Sequence, residues 1–153
     1  MTAINPLSPL PTKIKLVGVC AAGKSTLLHN LRAAGFDALP CAQEHSYVPD
    51  MWRKLHPPDV LIFLDAQPAT VARRRQTREP VEAWLAEERL RLAHARAHCD
   101  LYLPTDELTP AEVAAAALSR RLGLGEDEVA RIRKLFLAAG LPVSIRLGAS
   151  QRT

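Results

Sequence analysis

At 153 residues, with 48% hydrophobic and 24% charged side chains, the chain has the length and apolar content of one globular domain, which excludes wholesale disorder. No apolar run approaches the roughly 18 residues needed to span a bilayer, and residues 1–11 lack the basic patch and apolar core of a secretory leader, so a cytoplasmic location without membrane attachment is expected. The net charge of +4 and a pI near 9.3, supplied mostly by Arg, favour anionic ligands, while only 5% aromatics argue against a base-stacking nucleic-acid surface.

Residues 1–12 hold three prolines and no periodicity, and read as a flexible N-terminal arm. Ile14–Gly18 is a short apolar run and predicts a buried strand. Lys24–Ala34, with Leu27, Leu28 and Leu31 at helical spacing, predicts a helix that Gly35 stops. Phe36–Cys41 is a weaker strand candidate, and the irregular stretch Gln43–Pro58 holds one helical turn near Met51–Leu55. Val60–Leu64 is the strongest strand, five apolar residues bounded by Pro57-Pro58-Asp59 and Asp65.

A basic helix is expected over Thr70–Arg78, and a longer one from Pro80 to about His98 with Leu85, Leu90 and Leu92 on its apolar side. Leu101–Leu103 is a last short strand. Thr109-Pro110-Ala111-Glu112 has the composition of a capping box and opens a helix to about Leu122. Residues 123–153 read as a C-terminal helical extension to a core spanning residues 13–122. Strands alternating with helices predict an α/β three-layer sandwich with a short parallel sheet. The Ile14 strand is expected in the middle, with the Ala38 strand on one side and those at Leu61 and Tyr102 on the other.

The most specific signal is Gly18-Val19-Cys20-Ala21-Ala22-Gly23-Lys24-Ser25, which fits G-x-x-x-x-G-K-[ST] and lies between a predicted strand and a predicted helix. Glycines let a backbone wrap closely around phosphate oxygens, and the loop N–H groups with the helix N-terminus face the anion. Gly18, Ala21, Ala22, Gly23 and Lys24 are thus expected to bind the phosphates of ATP. Lys24 would reach the β- and γ-phosphates, Ser25 would ligate Mg²⁺, and Thr26 would add a hydroxyl near the α-phosphate. Two carboxylates compete to position the metal. Asp65 ends the strongest strand, whereas Glu44 follows the strand expected beside the first.

This loop, the segment Asp59–Pro68 with its Leu64-Asp65-Ala66-Gln67-Pro68 turn, the run Arg73-Arg74-Arg75 and the stretch Ala97–Asp106 occur in one order. That order resembles the small P-loop kinases of nucleosides, nucleotides and related metabolites, over about Lys13–Leu122. The resemblance implies a P-loop NTPase fold and Mg²⁺-dependent transfer of the ATP γ-phosphoryl group to a small hydroxyl-bearing acceptor. It also implies lid arginines among Arg73, Arg74, Arg75 and Arg78, with Arg74 and Arg78 on one helix face, and an adenine rest at Pro104-Thr105-Asp106. The helical acceptor insert of those kinases is missing. Only Ala42–Pro58 is available, and Glu44, His45, Tyr47, Asp50, Trp52 and Arg53 within it make an acceptor pocket, with Glu44 or Asp50 orienting the hydroxyl. Tyr47 and Trp52 would equally serve as plugs under a loop. The alternative function is a regulatory ATPase or switch, with water as acceptor and a protein partner reading the state. No N-K-x-D motif is present, so ATP is preferred over GTP.

Overall fold

The computed structural model describes residues 13–41 and 43–121. The expected arm at residues 1–12 and the extension at 123–153 lie outside the described residues. Within them, β1 (Lys13–Gly18), α1 (Lys24–Ala33), β2 (Asp37–Pro40), α2 (Met51–Lys54), β3 (Val60–Asp65), α3 (Pro68–Arg75), α4 (Glu82–His98), β4 (Leu101–Pro104) and α5 (Pro110–Arg121) follow in order. A 3₁₀ turn covers Gln43–His45.

The strands form one parallel sheet in the order β2-β1-β3-β4. This is the expected order, and its reason is burial. β1 and β3 are almost wholly enclosed, so they take the middle, while the shorter β2 and β4 form the edges. The step from β1 to β2 runs opposite to the steps that lead to β3 and β4. Right-handed crossovers therefore put α1 on one face and α4 on the other. α5 packs on α1, and the 3₁₀ turn packs on α4. Ile14, Leu16, Leu27, Leu31 and Leu118 belong to the core, as do Phe63, Leu85 and Leu92.

Local chemistry explains the ends of the elements. Thr109 and Glu112 cap α5 reciprocally, each backbone N–H donating to the other's side chain at 3.2 Å. α2 has only four residues and cannot stand alone. Lys15, buried in the middle of β1, donates its ammonium to the carbonyls of Trp52 (2.9 Å) and Leu55 (2.5 Å), and so closes the C-terminus of α2. Burial pushes the Lys15 pKa below its ordinary value.

Two expectations are corrected. α3 stops at Arg75, because Gln76 turns into the left-handed region (φ 54°) and the N–H groups of Gln76 and Thr77 close the end on Arg73 and Ala72. Arg78 thus lies beyond the helix and shares no face with Arg74. On α4 the buried stripe is Leu85, Glu88, Leu92 and Ala95, whereas Leu90 is 77% exposed. The helix is turned so that a carboxylate, not that leucine, faces inward. No helix among the described residues is long and apolar enough to cross a membrane.

Candidate functional site

The loop Gly18–Ser25 leaves the C-terminal end of the central strand and runs into α1. A Cβ on Gly18 would stand 2.2 Å from the Leu64 carbonyl oxygen, so only glycine lets β1 approach β3 here. Ala21 (φ 60°) and Gly23 (φ 102°) both lie in the left-handed region. Such alternation is the concave turn from which anion nests are built, and in it the Ala22 N–H donates to the Val19 carbonyl at 3.2 Å. Gly23 is the N-cap of α1, with no side-chain cap hydrogen bond, and the first turn has no acidic residue. The helix start therefore offers its N–H groups and positive end to the outside. The Lys24 ammonium is folded back onto the carbonyls of Gly18 (2.5 Å) and Val19 (3.0 Å).

A cavity of about 420 Å³ opens beside this loop, within the size range of small-ligand sites. Ala21, Ala22, Gly23, Ser25 and Thr26 line it from the loop and the start of α1. Leu108, Pro110 and Val113 add apolar lining. Arg74 and Thr105 complete its polar lining. The Arg74 guanidinium donates to the Ala21 carbonyl (2.9 Å), the Thr105 hydroxyl (3.0 Å) and the Thr105 carbonyl (2.5 Å), so it bridges the loop and the end of β4. Thr105 is only 1% exposed, and its hydroxyl donates to the Ala22 carbonyl at 2.7 Å. Thr105 thus holds the loop in place as well as lining the cavity.

Asp65 stands at the end of β3, beside the loop, as its strand predicts. Its carboxylate is fully engaged. One oxygen accepts from Arg89 (3.1 Å) and the Ala66 N–H (2.9 Å), and the other accepts from the Tyr102 hydroxyl at 2.6 Å. Burial, and then the bond to Asp65, push the Tyr102 pKa above its usual value. Arg96 lies over the Tyr102 ring at 3.4 Å. Glu44 lies in the 3₁₀ turn after β2, and its side chain falls outside the described part of the structure. Among the described residues, no group of three or more His, Cys, Asp or Glu side chains is placed to hold a metal ion. Ser25 offers one hydroxyl beside the nest, which suits an ion that takes most of its remaining ligands from phosphates and water.

The aromatic and charged residues expected to form an acceptor pocket do not line this cavity. Fully buried Gln43 receives the Trp52 N–H (2.8 Å) and donates to the carbonyls of Val48 (2.8 Å) and Arg91 (3.2 Å). The Trp52 indole donates to His94 Nδ1 at 2.9 Å, and His94 stacks on His98. This segment is a plug against α4. Tyr47 is 80% exposed and rests under the Arg91 guanidinium. The Arg53 hydrogen bond to Asp50 holds that carboxyl below the usual range, which weakens it as a base. Arg78 is exposed and does not line the cavity.

Glu88 is the residue that pattern reading passes over. It is 8% exposed, and it accepts the Cys20 N–H at 2.8 Å from inside α4. The available signal is its spacing, three residues after Leu85 and four before Leu92, on the stripe that faces the sheet. Arg75 also reaches the loop, donating to the Cys20 sulfur at 2.9 Å while lying over the Trp84 ring. Compared with models of known protein families and with curated proteins, the chain matches none.

Proposed function

We propose that the chain is a P-loop phosphotransferase that uses MgATP to phosphorylate a small hydroxyl-bearing metabolite. The observation that carries the reading is the Gly18–Ser25 loop itself. It fits the phosphate-loop pattern at every fixed position, wraps at the end of the central strand, and opens both a helix and a cavity. The triphosphate would lie in the nest at Ala21–Thr26, and the nucleoside would run toward the wall at Leu108, Pro110 and Val113. On binding, Lys24 exchanges the carbonyls of Gly18 and Val19 for the β- and γ-phosphate oxygens. Arg74 exchanges part of its bridge for phosphate, where a guanidinium fork neutralises charge as it develops. Mg²⁺, held by Ser25 and the phosphates, would neutralise the same oxygens when bound. The protein's own contribution is position and field, which is most of what phosphoryl transfer requires. With Asp65 committed to Arg89 and Tyr102, its role in this reading is to lock the end of β3 beside the loop.

The test follows γ-labelled ATP incubated with Mg²⁺ and a small-metabolite extract, with Lys24→Ala as control. Label on a new small molecule, lost in the variant, is the expected result. Label released only as inorganic phosphate would replace the kinase by an ATPase switch. ATP that neither binds nor turns over would overturn the reading.

A further inference from the structure

We infer that the outer face of α4 is an interaction surface for a second copy of this chain, the two helices lying antiparallel about a two-fold axis between Ala86 and Leu90. That face carries Ala83, Ala86, Leu90, Ala93 and Ala97, and all five are exposed. Their spacing alternates three and four residues, as in a helix-pairing seam, and the stripe lies opposite the buried one of Leu85, Glu88, Leu92 and Ala95. A helix packed on a sheet ordinarily gives its outer face to charged residues. Here the charges stand to either side of the stripe, and its centre is a largely exposed leucine. Alanines around one leucine let two helix backbones approach closely, toward an interaxial distance of about 8 Å. A second large exposed side chain adjoins the stripe. The Tyr47 hydroxyl accepts from Arg91, the neighbour of Leu90, at 2.9 Å, and its ring lies beneath the same guanidinium. An aromatic ring and an arginine already ordered on each other are typical anchors of an interface.

Charge decides the occupant and its direction. Beside the stripe, Glu82 and Glu87 flank the N-terminal half of the helix, and Arg91 and Arg96 flank the C-terminal half. A second copy laid antiparallel sets acidic half against basic half in both directions at once, as a self-complementary contact requires. With Ala86 layered on Leu90 of the partner subunit and Ala83 on Ala93 of the partner subunit, Glu82 comes level with Arg96 of the partner subunit, and symmetry repeats the pair. Arg96 lies over the Tyr102 ring at 3.4 Å, and a stacked guanidinium still offers its N–H edge to a carboxylate. The like charges nearest the axis are neutralised within their own chain, Glu87 by Arg91 at 2.6 Å and Arg89 by Asp65 at 3.1 Å. A parallel pair would instead set Glu82 against Glu87 of the partner subunit, and the carboxylates would repel. One helix pair is a small contact, so the dimer is a reversible one that forms at high concentration.

The experiment is sedimentation equilibrium of the full chain from about 10 µM to about 1 mM, with a thermal melt of every variant. The wild type should pass reversibly from monomer to dimer across this range. Leu90→Glu, at an exposed position, should keep the wild-type melting temperature and stay monomeric. Glu82→Arg should weaken the dimer about tenfold, because it sets like charges together at both ends of the contact. Combining E82R with R96E should recover the wild-type affinity. A wild type that stays monomeric at the top of the range, or a dimer that survives Leu90→Glu, would overturn the inference. A dimer that Glu82→Arg tightens would overturn the antiparallel arrangement, since only a parallel pair is relieved by that change. A folded double variant that fails to recover the dimer would overturn the pairing of Glu82 with Arg96.

Discussion

Thr105 carries more of the site than its size suggests. Its buried hydroxyl ties the Ala22 carbonyl to the end of β4 and receives Arg74 on its other side. Thr105→Val removes the donor and leaves that carbonyl facing a methyl group. The expected cost is about 1–3 kcal/mol in a urea melt, and under the proposed function MgATP binding should weaken as well, because the loop loses its prop. Gly18→Ala tests the close approach of β1 and β3. With a Cβ at 2.2 Å from the Leu64 oxygen, the strands must separate. A loss of about 3 kcal/mol or more is expected, and an unchanged melting curve would refute the contact. Gly18 is visible in the sequence through the loop pattern. Thr105 is visible in the sequence as part of the turn after the last strand, expected to rest an adenine, but its hold on the loop is not, because its partner Ala22 lies 83 residues away.

At the scale of elements, the capping box of α5 is written locally, and the structure contains it. Thr109→Ala should therefore lower stability by about 1 kcal/mol, read from thermal melts. The phase of α4 is not written locally. Its leucines at positions 85, 90 and 92 and its many alanines fit more than one face, and packing against β1 and β3 selects the one with Glu88 inward. The end of α3 is equally hidden, since Gln76 adopts a left-handed conformation without the usual glycine. The plug formed by Trp52 and Gln43 depends on α4, so its aromatic residues look like a pocket until that helix is placed.

The Trp52–His94 contact has a pH signature. Burial, and then the charges of His98 and Arg53, lower the His94 pKa, with Asp50 opposing. A histidine held below its ordinary value near 6.5 favours the neutral native form. The stability it contributes is present above that value and is lost as pH falls through the lower folded value. The wild type should therefore lose urea resistance on acidification below about pH 6.5 more steeply than His94→Gln. Parallel curves would refute the assignment.

For the whole molecule, the sheet order is readable because the two enclosed runs, Ile14–Gly18 and Val60–Leu64, must take the centre. The loop and the cleft then fall at the ends of adjacent strands, where open α/β sheets bind ligands. The measurement that bears most directly on this account is calorimetric titration of the full chain with MgATP, in wild type and Lys24→Ala, paired with thermal melts. The account predicts a single saturable site in the wild type. At a hundredfold excess over Kd that site should add about 2.7 kcal/mol, or roughly 5–10 °C in Tm, and Lys24→Ala should lose both the binding heat and the shift. A wild type that gives no heat and no shift at millimolar MgATP, or a variant that binds as tightly as the wild type, would contradict it.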